Sequence, residues 1–262
     1  MVKNLWILNN GQLDIEKSIL VNGRDCGKIV RVPVYSLLLE TEQGFVVIDT
    51  GLNTDGIENP GEIWGERART IPPVLVPEDD IRFRLKEIGV EAKDVRYVIN
   101  THLHWDHTGG NRFFEKAVFL VQKAEYRFAL WPDHDMRLSY MRNHFDVGVD
   151  YQLLEGDHEL MPGIRIIMTP GHTPGHQSVF ITMAEGRKII AAGDAVYTWE
   201  NINEVIPPGN CWNSREAISS LHKIRTIQQL TGAIVLPSHD PNFWKKFDGK
   251  AVIRKEIGGE NK

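Results

Sequence analysis

Residues 101–107, with the sequence THLHWDH, combine three histidines and one aspartate directly after the apolar run VRYVI. We expect that run to be a buried strand. A chain still extended at the strand's end points His102 and His104 the same way, so both can bind one metal ion. Asp106 and His107 follow where the chain must turn, which predicts a second ion for them. Chance clustering is a poor explanation, because the chain has ten histidines in 262 residues and burying such groups without partners is costly.

Three more candidate ligands follow other apolar segments. His172 comes after GIRIIMT, Asp194 after KIIAAG, and His239 after AIVLP. Each has the order strand, sharp loop, ligand, which predicts that all of them meet at one edge of a sheet, where α/β folds keep their sites. Nitrogen and carboxylate ligands suit zinc, and cobalt, iron and manganese are also compatible. Isolated histidines are usually ordinary structural or surface residues, so no metal is assigned to four others, His134, His144, His158 and His222.

The surrounding sequence predicts strands and helices that position these residues. Residues 33–41 and 44–51 are apolar and flank a short polar turn, which predicts an antiparallel hairpin. Further strands are predicted at 95–99, 163–169, 178–183, 188–194 and 233–237. Helices are predicted at 81–89 and beyond Asn213, and two more within 122–145. Residues 52–80 are predicted to be irregular chain. The mixture predicts one α/β domain, residues 1–262, with mixed sheets.

Composition narrows the class of protein. The formal net charge is −5, and no stripe of Lys and Arg is visible, so nucleic acid is not expected as a partner. No apolar stretch is long enough to span a membrane and no signal peptide is evident, so we expect a cytoplasmic protein without membrane contact. Cys26 and Cys211 lack the spacing of a thiolate metal site and are expected to be free thiols.

The ligand set resembles that of the metallo-β-lactamase superfamily. Its HxHxDH signature is present at residues 102–107, and the later ligands occur in the expected order. The resemblance implies an αββα sandwich with a two-metal site at one sheet edge. It also implies which residues bind each ion: the first takes His102, His104 and His172, the second takes Asp106, His107 and His239, and Asp194 bridges them. Two divalent ions, with zinc as the first choice, are therefore expected per chain. His176 is expected to be structural, because these ligand shells are already filled.

Within the superfamily, the sequence is most similar to the N-acyl homoserine lactone lactonases, the quorum-quenching enzymes. The segments HLHWDHTGGN, TPGHTPGHQS and GDAVYTWEN carry this resemblance. Asp194 replaces the cysteine of zinc β-lactamases, and the short segment after His239 leaves no room for the helical domain of a glyoxalase II. The resemblance implies that a hydroxide held between the ions attacks the lactone carbonyl. Tyr197 would hydrogen-bond that carbonyl, and Asp106 would deliver a proton to the leaving oxygen.

Three alternatives remain open at this point. They are a lactonase for another ring, such as a pyridoxolactone, a mono-iron persulfide dioxygenase, and a metal-stabilised binding protein without turnover. The lining of an acyl-chain channel is equally open. The apolar residues of the 52–77 segment and three aromatic residues near the ligands would form a substrate channel, a homodimer face or ordinary packing. They are Ile57, Ile63, Trp64, Ile71, Val74, Leu75, Trp105, Phe113 and Trp199.

Overall fold

The N-terminal half of the chain forms a mixed sheet. The computed structural model describes residues 1–243 and the strand Val252–Arg254. In this described part, the first sheet contains β1 (Val2–Glu16), β2 (Ile29–Thr41), β3 (Gly44–Ile48), β4 (Pro73–Val74), β5 (Val95–Ile99), β6 (Val118–Gln122), β7 (Asp150–Leu154) and, at the edge beside β1, the strand Val252–Arg254. Strands β1, β2 and β3 are antiparallel, which confirms the predicted hairpin, and β3, β5, β6 and β7 are parallel.

The second sheet comes from the C-terminal half. It contains β8 (His158–Met161), β9 (Ile164–Met168), β10 (Gln177–Thr182), β11 (Lys188–Ala191) and β12 (Ile234–Leu236). Strands β9, β10 and β11 alternate in direction and β12 is parallel to β11, so the prediction of mixed sheets is confirmed. Strands β9, β11 and β12 therefore run the same way. Their carboxyl ends, which precede three of the candidate ligands, lie at the same edge.

The two sheets pack face to face, because alternate residues of each strand point into one shared core. In β2 and β3, Leu37, Leu39, Val46 and Ile48 point into it and meet residues of the second sheet such as Val179. The opposite faces are covered by helices, with α4 (Ile81–Glu87) on the first sheet and α9 (Ser214–Thr231) on the second. This is the predicted αββα sandwich.

The local signals for the two covering helices are confirmed. α4 is followed by Gly89 at a positive φ of 77°, and the side chain of Asn213 accepts hydrogen bonds from the first backbone N–H groups of α9. The other α-helices of the described residues are α1 (Lys17–Leu20), α2 (Pro60–Trp64), α3 (Arg67–Thr70), α5 (Trp105–Thr108), α6 (Lys123–Leu130), α7 (Arg142–Phe145) and α8 (Trp199–Glu204).

The prediction was wrong or incomplete in several places. The second helix expected within 122–145 is broken into a 3₁₀ turn, Arg137–Ser139, and the single turn α7, because Pro132 and the polar residues after it stop α6. The segment 52–80 is folded as single helical turns rather than irregular chain. Strand β1 was not predicted, because its alternation is interrupted by a register shift between Asn9 and Gln12 around Gly11, whose φ is 101°.

Strands β6, β7 and β8, of four or five residues each, were also not predicted. The final part of the proposed domain, residues 244–251 and 255–262, lies outside the described residues. A search of the described helices found none with the length and apolar character needed to cross a membrane.

Candidate active site

All seven predicted ligands are brought together at the sheet edge, and all are buried. They fall into two groups in which the candidate ligand atoms lie within 4.8 Å of one another. One group is His102, His104, His172 and Asp194, and the other is Asp106, His107 and His239. The extended and turning parts of the 101–107 segment predicted this division. The helix α5 begins at Trp105, so Asp106 and His107 are rotated away from the two preceding histidines.

Asp194 lies between the two groups and presents one carboxylate oxygen to each. Its Oδ2 is 3.5 Å from Nε2 of His102 and 3.3 Å from Nε2 of His172. Its Oδ1 is 3.3 Å from Nε2 of both His107 and His239. A carboxylate placed in this way is suited to bridge two cations, one on each side.

The donor set fits a pair of divalent ions. Nε2 of His172 lies 3.0 Å from Nδ1 of His104, close to the roughly 3.3 Å that separates two nitrogens bound to one tetrahedral zinc. Among the described residues, the buried Nε2 atoms of His102 and His107 have no hydrogen-bond partner. Buried polar atoms rarely lack partners, and a cation would satisfy both. On the second side, Oδ2 of Asp106 is 3.6 Å from Nε2 of His239.

Backbone and carboxylate acceptors orient the imidazole rings. Nδ1 of His172 donates to the carbonyl of Asn210 at 2.8 Å, and Nδ1 of His239 donates to the carbonyl of Pro33 at 2.7 Å. With the proton fixed on Nδ1, the lone pair of Nε2 faces the centre, as in most metal-binding histidines. The site is therefore preorganised by contacts from loops distant in sequence.

Asp49, at the end of β3, was not predicted as a site residue. Its carboxylate accepts from Nδ1 of His107 at 2.8 Å and from the backbone N–H and hydroxyl of Thr101, both at 2.7 Å. Because the Thr101 hydroxyl donates to Asp49, it accepts from Nδ1 of His102 at 3.0 Å. Asp49 thus fixes two ligand rings, and its φ of 56° is strained for a residue other than glycine. An aspartate directly after the apolar strand was the available signal.

The electrostatic environment differs between the groups. Burial and neighbouring imidazoles lower the pKa of His102 and His104 well below the usual range, so both are neutral.

The second group is different. Burial opposes protonation of His107, but the negative charges of Asp194, Asp106 and Asp49 outweigh this effect and raise the pKa of His107 well above the usual range. Burial would raise the pKa of Asp194, yet His107, His239 and His102 lower it well below its usual range. Metal binding is therefore expected to release a proton from His107.

His176 belongs to neither group of candidate ligands. Its ring is packed 5.3 Å from that of His102, and its Nδ1 contacts the Thr169 hydroxyl at 2.9 Å. Burial lowers its pKa to about 3. A methyl group on Gly193 would approach Nε2 of His176 to 2.7 Å, so His176 fills the space directly behind Asp194. This position agrees with the expected structural role.

Tyr197 is buried beside the candidate ligands, three residues after Asp194. Its ring is 5.4 Å from that of His172 and 5.3 Å from that of His239. Burial raises the pKa of Tyr197 well above the usual range, and the charges of Asp194 and Asp106 act in the same direction. The hydroxyl is therefore a protonated hydrogen-bond donor at neutral pH.

A narrow cleft opens onto the centre. Its apolar walls come largely from β1 and β2, which the sequence analysis did not assign to the site. The lining includes Asp106, Tyr197 and His239, with Leu13, Ile15, Val32, Ile71, Trp105, Arg67, Ser139 and Asn210 around them. Residues from segments far apart in the sequence thus combine an apolar wall with a few polar groups, as is typical of small-molecule sites.

Only part of the apolar set proposed for a channel lies near this cleft. Ile71 and Trp105 line it, and Trp64 packs behind Trp105 at 6.2 Å between ring centroids. Ile57 and Ile63 instead line a separate surface groove. Two of the aromatic residues take part in ordinary packing, one of the readings left open: Phe113 lies under the guanidinium of Arg82, and Trp199 packs against Phe243.

His144 supports this region from outside the ligand groups and gives a pH-dependence prediction. Its Nε2 accepts from Asn53 Nδ2 at 3.4 Å, and burial lowers its pKa to about 4. Because the folded pKa lies below the unfolded value, its contribution to stability is complete above pH ~6.5 and is lost as the pH falls towards 4. We expect the free energy of unfolding of wild type, relative to that of His144→Gln, to fall by on the order of 3 kcal/mol across this interval.

Urea unfolding of both proteins at several pH values measures that difference. The exposed His134→Gln serves as the matched control and should unfold like wild type throughout. A difference between wild type and His144→Gln that stays constant with pH would contradict the prediction.

Comparison with known proteins places this geometry in a family. A profile of the metallo-beta-lactamase superfamily matches residues 29–239. The N-acyl homoserine lactonase of Bacillus thuringiensis is 34% identical over 240 residues, which are 91% of this chain and 94% of that protein. A crystal structure of a B. thuringiensis AiiA mutant with N-decanoyl-L-homoserine at the active site has a TM-score of 0.86 and 34% identity, covering 94% of this chain and 96% of that one.

A second solved structure is an N-acyl homoserine lactone hydrolase with its product, N-hexanoyl-L-homoserine, bound at the catalytic metal centre. It has a TM-score of 0.86 and 33% identity, covering 94% of this chain and 96% of that chain. These similarities span the whole sandwich and every strand end that carries a candidate ligand. The chain therefore belongs to the metallo-beta-lactamase superfamily of metal-dependent hydrolases and, within it, to the family of the N-acyl homoserine lactonases.

Proposed function

We propose that this protein hydrolyses the ester bond of N-acyl homoserine lactones and so removes these signalling molecules. The observation that carries the proposal is the position of Tyr197, whose hydroxyl is a buried donor beside the bridging carboxylate of Asp194. A lactone carbonyl that enters the cleft would meet that donor next to both ligand groups. The similarity to N-acyl homoserine lactonases over 91% of the chain supports this assignment.

The residues of this chain have distinct roles in the proposed reaction. His102, His104 and His172 would hold one ion, Asp106, His107 and His239 the other, and Asp194 would bridge them. A bound pair of divalent ions supplies an activated water at neutral pH and polarises a carbonyl oxygen. Tyr197 would donate a hydrogen bond to the carbonyl oxygen as negative charge develops on it. Asp106 would accept the proton released by the attacking water and pass it to the ring oxygen as the bond between the carbonyl carbon and that oxygen breaks.

The apolar cleft walls complete the proposed site. Leu13, Ile15, Val32, Ile71 and Trp105 would cover an acyl chain and keep bulk water from the reacting ester. Water exclusion strengthens the hydrogen bond from Tyr197, since electrostatic interactions grow as the local dielectric constant falls.

Tyr197→Phe is expected to lower kcat/KM for N-hexanoyl homoserine lactone by roughly tenfold or more, the size expected for one lost hydrogen bond to the developing oxyanion. Titration of ring opening at constant pH measures this directly. Tyr97→Phe, on β5 in the sheet core, is the control and should behave like wild type. An unchanged kcat/KM in Tyr197→Phe would remove Tyr197 from the mechanism.

Zinc is the proposed metal, because imidazole and carboxylate ligands suit it and it is widely available. Metal analysis should find about two zinc ions per chain, and chelation should abolish lactone opening. A screen of homoserine lactones, a pyridoxolactone, a β-lactam and a thioester tests the substrate class. One iron per chain, together with oxygen consumption on a persulfide, would overturn the hydrolase proposal in favour of a dioxygenase.

A further inference from the structure

Arg67 is a half-buried cation in the wall of the active-site cleft. It lies on the single turn α3 and is held by two contacts from the 137–139 turn. Its Nε donates to the carbonyl of Leu138 at 3.2 Å, and its Nη2 donates to the hydroxyl of Ser139 at 2.5 Å. These contacts use only part of the five-donor guanidinium. The side chain is therefore fixed in direction while donors remain for another partner.

The charge of Arg67 acts on the catalytic end of the cleft. Asp106 and Tyr197 both interact electrostatically with the guanidinium, and its charge contributes to lowering the pKa of His104. Burial lowers the pKa of Arg67 itself, although an arginine remains charged at any ordinary pH. The guanidinium is therefore close to the place where the proposed reaction occurs.

Arg67 also lacks a carboxylate partner within ion-pair distance among the described residues, unlike other arginines nearby. Arg82 pairs with Asp80 at 2.8 Å, and Arg112 pairs with Asp55 at 2.6 Å. A partly desolvated guanidinium without an anionic partner gains most from an oxygen supplied by a ligand. Val32, Ile71 and Trp105, which line the same cleft, have apolar side chains that offer no acceptor oxygen.

The chemistry of the proposed substrate indicates which of its oxygens would accept a hydrogen bond from Arg67. In an N-acyl homoserine lactone, the amide is attached to the ring carbon next to the ester carbonyl, so the two carbonyl oxygens lie within a few bonds of each other. With the ester carbonyl oxygen at Tyr197 and the ring oxygen at Asp106, the acyl arm must leave along the cleft. Arg67 lies on this wall.

We propose that Arg67 is a specificity-determining residue that donates a hydrogen bond to the amide carbonyl oxygen of the acyl arm. The inference rests on the proposed lactonase function and deepens it. This hydrogen bond would make the enzyme prefer lactones whose ring carries an acyl amide to γ-butyrolactone, which is the bare ring. A free amino group at the same ring position, as in unacylated homoserine lactone, would be disfavoured, because its positive charge would face the guanidinium.

The test compares the metal-loaded wild type with Arg67→Met on N-hexanoyl homoserine lactone and γ-butyrolactone. Arg67→Met keeps a long side chain and removes every donor. We expect the ratio of kcat/KM for the acylated ring over the bare ring to fall at least about tenfold, the size of one charge-assisted hydrogen bond. The fall should appear mainly in KM for the acylated substrate. Arg69→Met, an exposed position on the same turn, is the matched control and should keep the wild-type ratio.

The outcomes separate this inference from the function on which it rests. If wild type opens neither lactone, the proposed function fails. If wild type opens both and Arg67→Met keeps the ratio within about twofold of wild type, the inference alone fails. If Arg67→Met does not retain its metal, Arg67→Lys is used in its place. Its ratio of kcat/KM for the acylated ring over the bare ring should be lower than that of wild type, since one ammonium cannot reproduce the fork geometry of the guanidinium. A wild-type ratio in Arg67→Lys would overturn the proposal.

Discussion

Asp194→Asn should lower kcat/KM for the lactone by about a thousandfold or more and should prevent retention of two ions per chain. The carboxylate faces four imidazole Nε2 atoms at 3.3–3.5 Å, two through each oxygen. An asparagine keeps the shape but is neutral, and its NH₂ group would point donors at one pair of these nitrogens or at the ion beside them. Even contacts outside the ligand set usually cost 10–100-fold in metal affinity or activity, so loss of the bridging charge should cost more.

Two measurements check this expectation together. Elemental analysis gives the number of ions per chain, and ring-opening kinetics gives kcat/KM. Asp135→Asn is the matched control, because Asp135 is exposed and outside both ligand groups. A variant of Asp194 that retained two ions and activity within about tenfold of wild type would show that Asp194 does not join the two groups.

Glu125→Ala should lower the free energy of unfolding by about 3–5 kcal/mol and weaken metal binding. Glu125 is fully buried and its carboxylate ties together the two loops that carry the first ligand group. It accepts from the backbone N–H of Leu103, between His102 and His104, at 3.0 Å. It also accepts from the Thr173 hydroxyl, next to His172, at 2.5 Å.

Two further contacts strengthen this connection. The backbone N–H of Gly175 donates to Glu125 at 3.2 Å, and the Tyr140 hydroxyl donates at 3.0 Å. The Tyr140 ring packs 4.6 Å from that of His104. Removing the carboxylate leaves four buried donors without their acceptor, and each such group carries a desolvation cost. Because both ligand loops lose the same anchor, metal affinity should fall together with stability.

Urea unfolding and competition with a chelator measure the two effects. Glu115→Ala, an exposed glutamate without a role in the ligand loops, is the control. Glu125→Gln separates shape from charge. Its free energy of unfolding and its metal affinity should lie between those of Glu125→Ala and wild type, because glutamine keeps an acceptor oxygen but adds an NH₂ group opposite donors. Wild-type metal affinity in Glu125→Ala would rule out a role for Glu125 in positioning the loops.

The sequence by itself determined the identity of the candidate ligands and the edge at which they meet. His102, His104, Asp106 and His107 are adjacent in sequence, and strand ends precede His172, Asp194 and His239. Apolar runs, Gly/Pro loops and residue spacing are local properties, and they sufficed because parallel strands bring their carboxyl ends to one edge. The hairpin of β2 and β3 and the Asn213 cap were predictable for the same reason, whereas the αββα layering was expected only from the resemblance to a known family.

Only the tertiary structure decided which other residues serve the site. Asp49 reaches His107 from a different strand, Glu125 reaches Leu103 and Thr173 from α6, and Arg67 enters the cleft from a single helical turn. Such contacts depend on how distant segments pack, which residue periodicity does not encode. The cleft walls from β1 show the same limit, since the register shift near Gly11 conceals that strand's pattern. Local patterns predicted which residues could bind metal, and long-range packing decided how those side chains are oriented and what lines the cleft beside them.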